Sequence, residues 1–189
     1  MSGMAGPGRR WVTRGAVETE RLGGELAAEL APEGVLLLSG ELGSGKTVLA
    51  RGVAGALGID PRQVLSPTFN LIREHRGGAG GPLRMVHVDL YRLAPEEAAG
   101  LGLEELLAGP GVKVVEWAER LPAALAAAAP PTITLRLRRL PEGGDEAREI
   151  VETAPPAPPT TRMPRTASAS AAAALAVDLQ ATKGREETT

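Results

Sequence analysis

The chain of 189 residues contains no cysteine. That excludes disulfides, thiolate nucleophiles and thiolate metal ligands, and it fits a reducing compartment. Aromatics are almost as scarce: two Trp, one Tyr and one Phe, 2% of the chain. A core must therefore rest on leucine, valine and alanine, and each aromatic side chain stands out. No apolar run approaches the ~20 residues needed to span a bilayer, so no membrane contact is expected. Residues 1–10 hold two arginines but no apolar stretch, unlike a secretory signal. An excess of one charge is missing too. With 21 Lys+Arg against 23 Asp+Glu the net charge is −2, and no global signature of polyanion binding exists. A cytoplasmic protein is expected.

What is present centres on one stretch. The apolar run Val35-Leu36-Leu37-Leu38-Ser39 leads into Gly40-Glu41-Leu42-Gly43-Ser44-Gly45-Lys46-Thr47, which fits the phosphate-binding pattern G-x-x-x-x-G-K-[ST]. Gly43 and Gly45 let successive backbone N–H groups curl into one concavity that a side chain would obstruct. The following helix adds unpaired N–H donors and a partial positive charge. Lys46 would reach the β- and γ-phosphates, and the Thr47 hydroxyl would ligate Mg²⁺. A chance match in a chain with 24 glycines is the competing reading. Context opposes it: a buried-strand pattern precedes the loop, and Leu49, Val53 and Leu57 recur on one helical face after it. Glu41, Leu42, Gly43, Ser44, Gly45, Lys46 and Thr47 are thus the expected nucleotide-binding set, with Mg²⁺ beside the phosphates; the motif alone does not choose between ATP and GTP.

The remaining chain alternates strand and helix patterns. Residues 1–10 read as a flexible, Gly/Pro/Arg-rich N-terminus, and Trp11-Val12-Thr13 as a short strand. Leu22, Leu26 and Leu30 predict a helix over 16–31. Residues 67–72 look extended, and 68–90 reads as a hairpin whose tip is the glycine run 77–82. Pro95, Glu96 and Glu97 open another predicted helix. Val112 to Glu116 is a buried-strand pattern, Ala118 to Ala129 a helix interrupted by Pro122, and 132–138 an alternating strand that pairs back with 147–152. Composition changes at Ala154. The Pro/Ala-rich stretch 153–189 lacks the apolar content to form a core and is expected to be disordered. One domain over 11–152 follows: an α/β, P-loop NTPase-like fold, with a mainly parallel sheet flanked by helices and an antiparallel edge.

A nucleotide hydrolase needs an acid near its magnesium, usually at the end of an apolar strand. Asp89 and Glu116 both qualify, although either could be an ordinary strand-end carboxylate. Thr68, in Ser66-Pro67-Thr68, offers a hydroxyl suited to sensing the γ-phosphate, against the plainer reading of a turn or cap. Trp117 follows Glu116 directly; core packing is the commoner fate of a lone Trp, and the neighbouring candidate metal ligand is the argument for a place over the active site. His75 and His87 show no ligand pattern and receive no role. Arg73, Arg76, Arg84 and Arg92 read as a solvated hairpin, or as a contact for RNA or an acidic partner.

Taken together, the loop at 40–47, Ser66-Pro67-Thr68-Phe69, His87-Val88-Asp89-Leu90-Tyr91-Arg92-Leu93 and Val115-Glu116-Trp117 closely resemble the bacterial TsaE (YjeE) family. Gly102-Leu103-Glu104-Glu105 adds to the likeness, which spans roughly 16–152. That family is the ATPase subunit of the tRNA threonylcarbamoyladenosine machinery. The resemblance implies that Lys46 and Thr47 hold phosphate and Mg²⁺ and that Glu116 completes the metal site. It also implies that Asp89 supports metal or water, that Thr68 is the switch hydroxyl, and that Trp117 lies by the nucleotide. Lys46, Asp89 and Thr68 would then be the catalytic set. The implied partners are the TsaB–TsaD complex and, through it, tRNA modified at adenosine 37 where codons begin with A. The stretch 153–189 has no counterpart in the family.

Two other readings compete. A stand-alone small-molecule P-loop kinase would need an acceptor pocket and a lid, for which the 68–90 hairpin is the one sequence candidate. A GTPase switch would need N-K-x-D and D-x-x-G motifs, and neither occurs.

Overall fold

The computed structural model describes residues 8–68, 70–77, 84–94, 97, 101–128 and 132–154. Phe69, the glycine tip beyond Gly77, the Pro95–Glu96 helix start and all of 155–189 lie outside the described residues.

The elements are β1 (Arg10–Thr13), α1 (Ala16–Leu30), β2 (Val35–Ser39), α2 (Lys46–Ala56), β3 (Ile72–Arg76), β4 (Arg84–Asp89), α3 (Leu103–Ala108), β5 (Val112–Glu116), α4 (Ala123–Ala128), β6 (Thr132–Arg139) and β7 (Arg148–Thr153). Short 3₁₀ turns occupy Pro61–Gln63, Ala118–Arg120 and Pro141–Gly143. The seven strands form one sheet in the order β1-β7-β6-β2-β5-β4-β3. β6, β2, β5 and β4 run parallel. Antiparallel pairing occurs on both flanks, at β3 and through β7 and β1. The sequence predicts hairpins over 68–90 and 132–152, and β3 with β4 and β6 with β7 pair antiparallel accordingly; the pairing of β1 with β7 is the addition.

Alternation along the strands sorts the core onto two faces. Leu36, Leu38, Met85, Val112 and Val114 pack with Leu22, Leu26 and Leu30 of α1 and Leu49 and Val53 of α2. Val35, Leu37, Val86, Val88 and Val115 turn the other way, against Leu103 and Leu107 of α3 and Leu121 and Ala126 around α4. Each such burial contributes about 1.5–3 kcal/mol relative to exposure. Helices therefore cover both faces of the parallel strands. Lys113 is buried between them, and its Nζ donates to the carbonyls of Glu33 (2.9 Å) and Gly109 (2.7 Å).

One segment departs from its sequence pattern. The described residues Thr68, Asn70 and Leu71 turn rather than extend: the amides of Asn70 and Leu71 donate to the Pro67 carbonyl at 2.9 and 2.7 Å. Leu71 takes a left-handed conformation with φ 59°, and the strand begins only at Ile72. Apolar alternation over six residues does not distinguish a strand from a turn followed by one, and the turn is held by side-chain bonds to a distant residue. Among the described residues no helix is long and apolar enough to cross a membrane.

Candidate active site

β2, β5 and β4 are parallel neighbours, so their C-terminal ends share one edge of the sheet, where open α/β sheets bind ligands. Register aligns that edge, with Leu38 beside Glu116 and Glu116 beside Asp89. The loop leaves β2 at Gly40 and enters α2 at Lys46. Gly40, Gly43 and Gly45 all have positive φ, at 138°, 75° and 103°. A side chain at Gly40 would also overlap the Leu137 carbonyl. The expected glycine geometry is therefore present, and it turns the loop over the start of an eleven-residue helix.

Lys46 is almost fully buried at 4% exposure. Its Nζ donates to the carbonyls of Gly40 (2.6 Å) and Glu41 (2.9 Å) and lies 3.5 Å from Ser44 Oγ. It also sits 3.9 Å from the centroid of the Trp117 ring, within cation–π range. Burial pushes its pKa below the usual lysine value, while Glu116, Glu119 and Asp89 pull the other way. Trp117 has φ 59° and packs on Tyr91 with centroids 4.8 Å apart. Arg120 lies over both rings, at 5.5 and 5.6 Å, and donates to the carbonyls of Tyr91 and Leu93. That guanidinium ties the ends of β4 and β5 together.

Two acid clusters flank the lysine. In the first, Thr47 Oγ1 donates to Glu116 Oε1 at 2.8 Å, and His87 Nε2 lies 2.9 Å from the same oxygen. In the second, Asp89 Oδ2 accepts from Thr68 Oγ1 at 2.6 Å and from Ser66 Oγ, while Oδ1 accepts from the Tyr91 amide at 2.9 Å. The Ser66 and Thr68 hydroxyls are themselves 2.7 Å apart. Glu116 and Asp89 are both buried, at 2% and 1% exposure. The donor set of hydroxyl and carboxylate oxygens suits Mg²⁺, which keeps waters and substrate phosphates as most of its ligands. Among the described residues no group of three or more His, Cys, Asp or Glu side chains could hold a metal by itself. Thr47 and Glu116 are the side chains that would hold such an ion.

These residues line a cleft of about 430 Å³. Leu42, Gly43, Ser44, Gly45, Lys46, Thr47, Thr68, Asp89, Glu116 and Trp117 all face it, and Glu41 contributes its carbonyl to Lys46. The residues expected from sequence to bind nucleotide and metal or to act in catalysis thus converge on one edge of the sheet, whereas Arg84 of the arginine group pairs with Glu74 on the β3–β4 hairpin. The far wall was not anticipated: Gly15, Ala16 and Thr19 at the start of α1, with Glu146 and Arg148. Arg148 donates to the Gly43 carbonyl at 3.3 Å, and the Arg139 guanidinium also borders Gly43. No motif marks these arginines; only the return of β7 beside β6 carries Arg148 there. His87 was likewise given no role, and it contacts the central carboxylate.

A family model described as "Threonylcarbamoyl adenosine biosynthesis protein TsaE" matches residues 13–150. A Bacillus subtilis protein named "tRNA threonylcarbamoyladenosine biosynthesis protein TsaE" is 39% identical over 145 residues, covering 77% of this chain and 85% of that protein. A Treponema pallidum protein of the same name is 38% identical over 138 residues, covering 72% and 96%. A Mycobacterium bovis counterpart is 42% identical over 127 residues, covering 64% and 74%. The crystal structure of YdiB from Bacillus subtilis aligns with a TM-score of 0.60 at 35% identity, over 82% of this chain and 89% of that one.

Proposed function

The chain belongs to the TsaE family, and from that premise we propose that it binds and hydrolyses ATP with Mg²⁺ in tRNA threonylcarbamoyladenosine biosynthesis. The TsaB–TsaD complex is its partner in this reading, tRNA is met through that complex, and the site of action is the cytoplasm. The observation that carries the proposal is the hydrogen bond from Thr47 to Glu116 beside the buried Lys46, at the mouth of a glycine loop.

The geometry supports the following roles. Backbone N–H groups of the loop and of the α2 N-terminus receive the phosphates. Lys46 supplies a desolvated cation, whose field in a low-dielectric cleft is stronger than in water. Bound Mg²⁺ would neutralise charge on the phosphate oxygens. Thr47, with its proton directed to Glu116, has its lone pairs left for that ion. Asp89 holds Ser66 and Thr68, so their hydroxyls reach the cleft at a fixed place, where a γ-phosphate would meet them. Trp117 covers Lys46, and Tyr91 packs on the Trp117 ring.

Phosphate release tests the reading, measured from ATP with the protein alone, with the TsaB–TsaD complex, and with small-molecule acceptors. Slow release that the complex accelerates is expected. Transfer to a small acceptor without any effect of the complex would instead make the protein a kinase.

A further inference from the structure

His87 lies in the middle of β4, fully buried at 0% exposure on the face that packs against α2. A buried imidazole needs a partner, and an unpaired polar group there costs stability. Its Nε2 meets Glu116 Oε1 at 2.9 Å, and Thr47 Oγ1 reaches the same oxygen at 2.8 Å. An ionised carboxylate only accepts hydrogen bonds, so both partners must donate. That places a proton on Nε2. The other nitrogen, Nδ1, is buried without a partner, so the ring's one satisfied polar contact is the carboxylate. Both donors converge on Oε1, which leaves Oε2 for the cleft that Glu116 lines. A histidine present only to fill the core would not need this alignment. Register pairs His87 with Val114, two residues before Glu116 on the neighbouring strand. Contact therefore requires the imidazole to lean toward the C-terminal edge.

We propose that His87 is a positioning residue for Glu116: its Nε2–H pins one carboxylate oxygen so that the other is presented to the Mg²⁺ of the bound nucleotide. This rests on the nucleotide reading above. Partners of this kind around a metal ligand typically change metal affinity by about 10–100-fold when removed.

The test uses the full chain and thermal shifts with ADP alone and with ADP plus Mg²⁺, so it does not depend on turnover. Gln places its amide nitrogen near the position of Nε2, whereas Asn places it near that of Nδ1. His87→Gln is expected to keep most of the magnesium increment. His87→Asn is expected to lose it, with Mg²⁺ affinity down about 10–100-fold, while keeping the ADP-only shift. Adding His87→Asn to Glu116→Gln should cause no further loss. Equal increments in the Gln and Asn variants, a further loss in the double variant, or collapse of the ADP-only shift in both single variants would overturn the proposal. If the wild type shows an ADP shift but no magnesium increment, the metal reading of Glu116 fails and this inference with it. A normal wild-type increment that His87→Asn retains sinks the inference alone.

Discussion

Lys46 carries a charge that its surroundings disfavour. Burial lowers its pKa, and nearby carboxylates only partly oppose that. Its three nearest polar atoms all belong to its own loop. Lys46→Ala should therefore remove a phosphate-seeking cation with little harm to the fold. The expected outcome is loss of phosphate release with a near-normal melting curve; hydrolysis within a few-fold of wild type would contradict it. Residues of this loop were legible in the sequence because their chemistry requires adjacent positions. Glu116 and Asp89 were legible as acids ending apolar strands. His87 and Arg148 were not, because their partners lie 29 and 105 residues away in the chain. Strand register creates those contacts, and no local pattern encodes register across a parallel crossover.

At the scale of elements, the pair α1 and α2 sets the direction of the helix that carries the loop. Their leucine stripes were readable at helical spacing, but the closeness of the contact was not. A Cβ on Gly23 would overlap the Leu49 carbonyl, and one on Gly52 would overlap the Glu20 carbonyl. The helices thus meet backbone to backbone through glycines that sequence reading treats only as weak helix formers. Gly52→Ala should lower stability by about 1–3 kcal/mol through overpacking, despite alanine's better helix propensity. Denaturant unfolding checks this, and a variant as stable as wild type would mean the helices move apart freely. The turn after Pro67 illustrates the opposite error. Its residues read as extended, yet Ser66 and Thr68 fasten the segment to Asp89 on β4, a tertiary bond that overrides local preference.

For the whole molecule, the alternation of strands and helices was enough to anticipate a parallel sheet with helices on both faces. Both antiparallel flanks were legible as hairpins, β3 with β4 and β6 with β7, whereas the closing of β1 on β7 is a long-range pairing that no local pattern reveals. That architecture brings the ends of β2, β4 and β5 to one edge, where loop, hydroxyls and acids meet. The central claim is that this edge is a magnesium–nucleotide site with Glu116 as its carboxylate. Glu116→Gln keeps the size of the side chain and removes its charge. Ligand at 100 times Kd stabilises a protein by about 2.7 kcal/mol, and a site tenfold weaker at that concentration by about 1.4 kcal/mol. Thermal shifts of wild type and Glu116→Gln, with ADP and with ADP plus Mg²⁺, measure this difference directly. The account predicts that the variant keeps the ADP-only shift, since the loop backbone still holds the phosphates, and loses most of the magnesium increment. A magnesium increment that survives intact in Glu116→Gln would contradict it and move the metal role to Asp89.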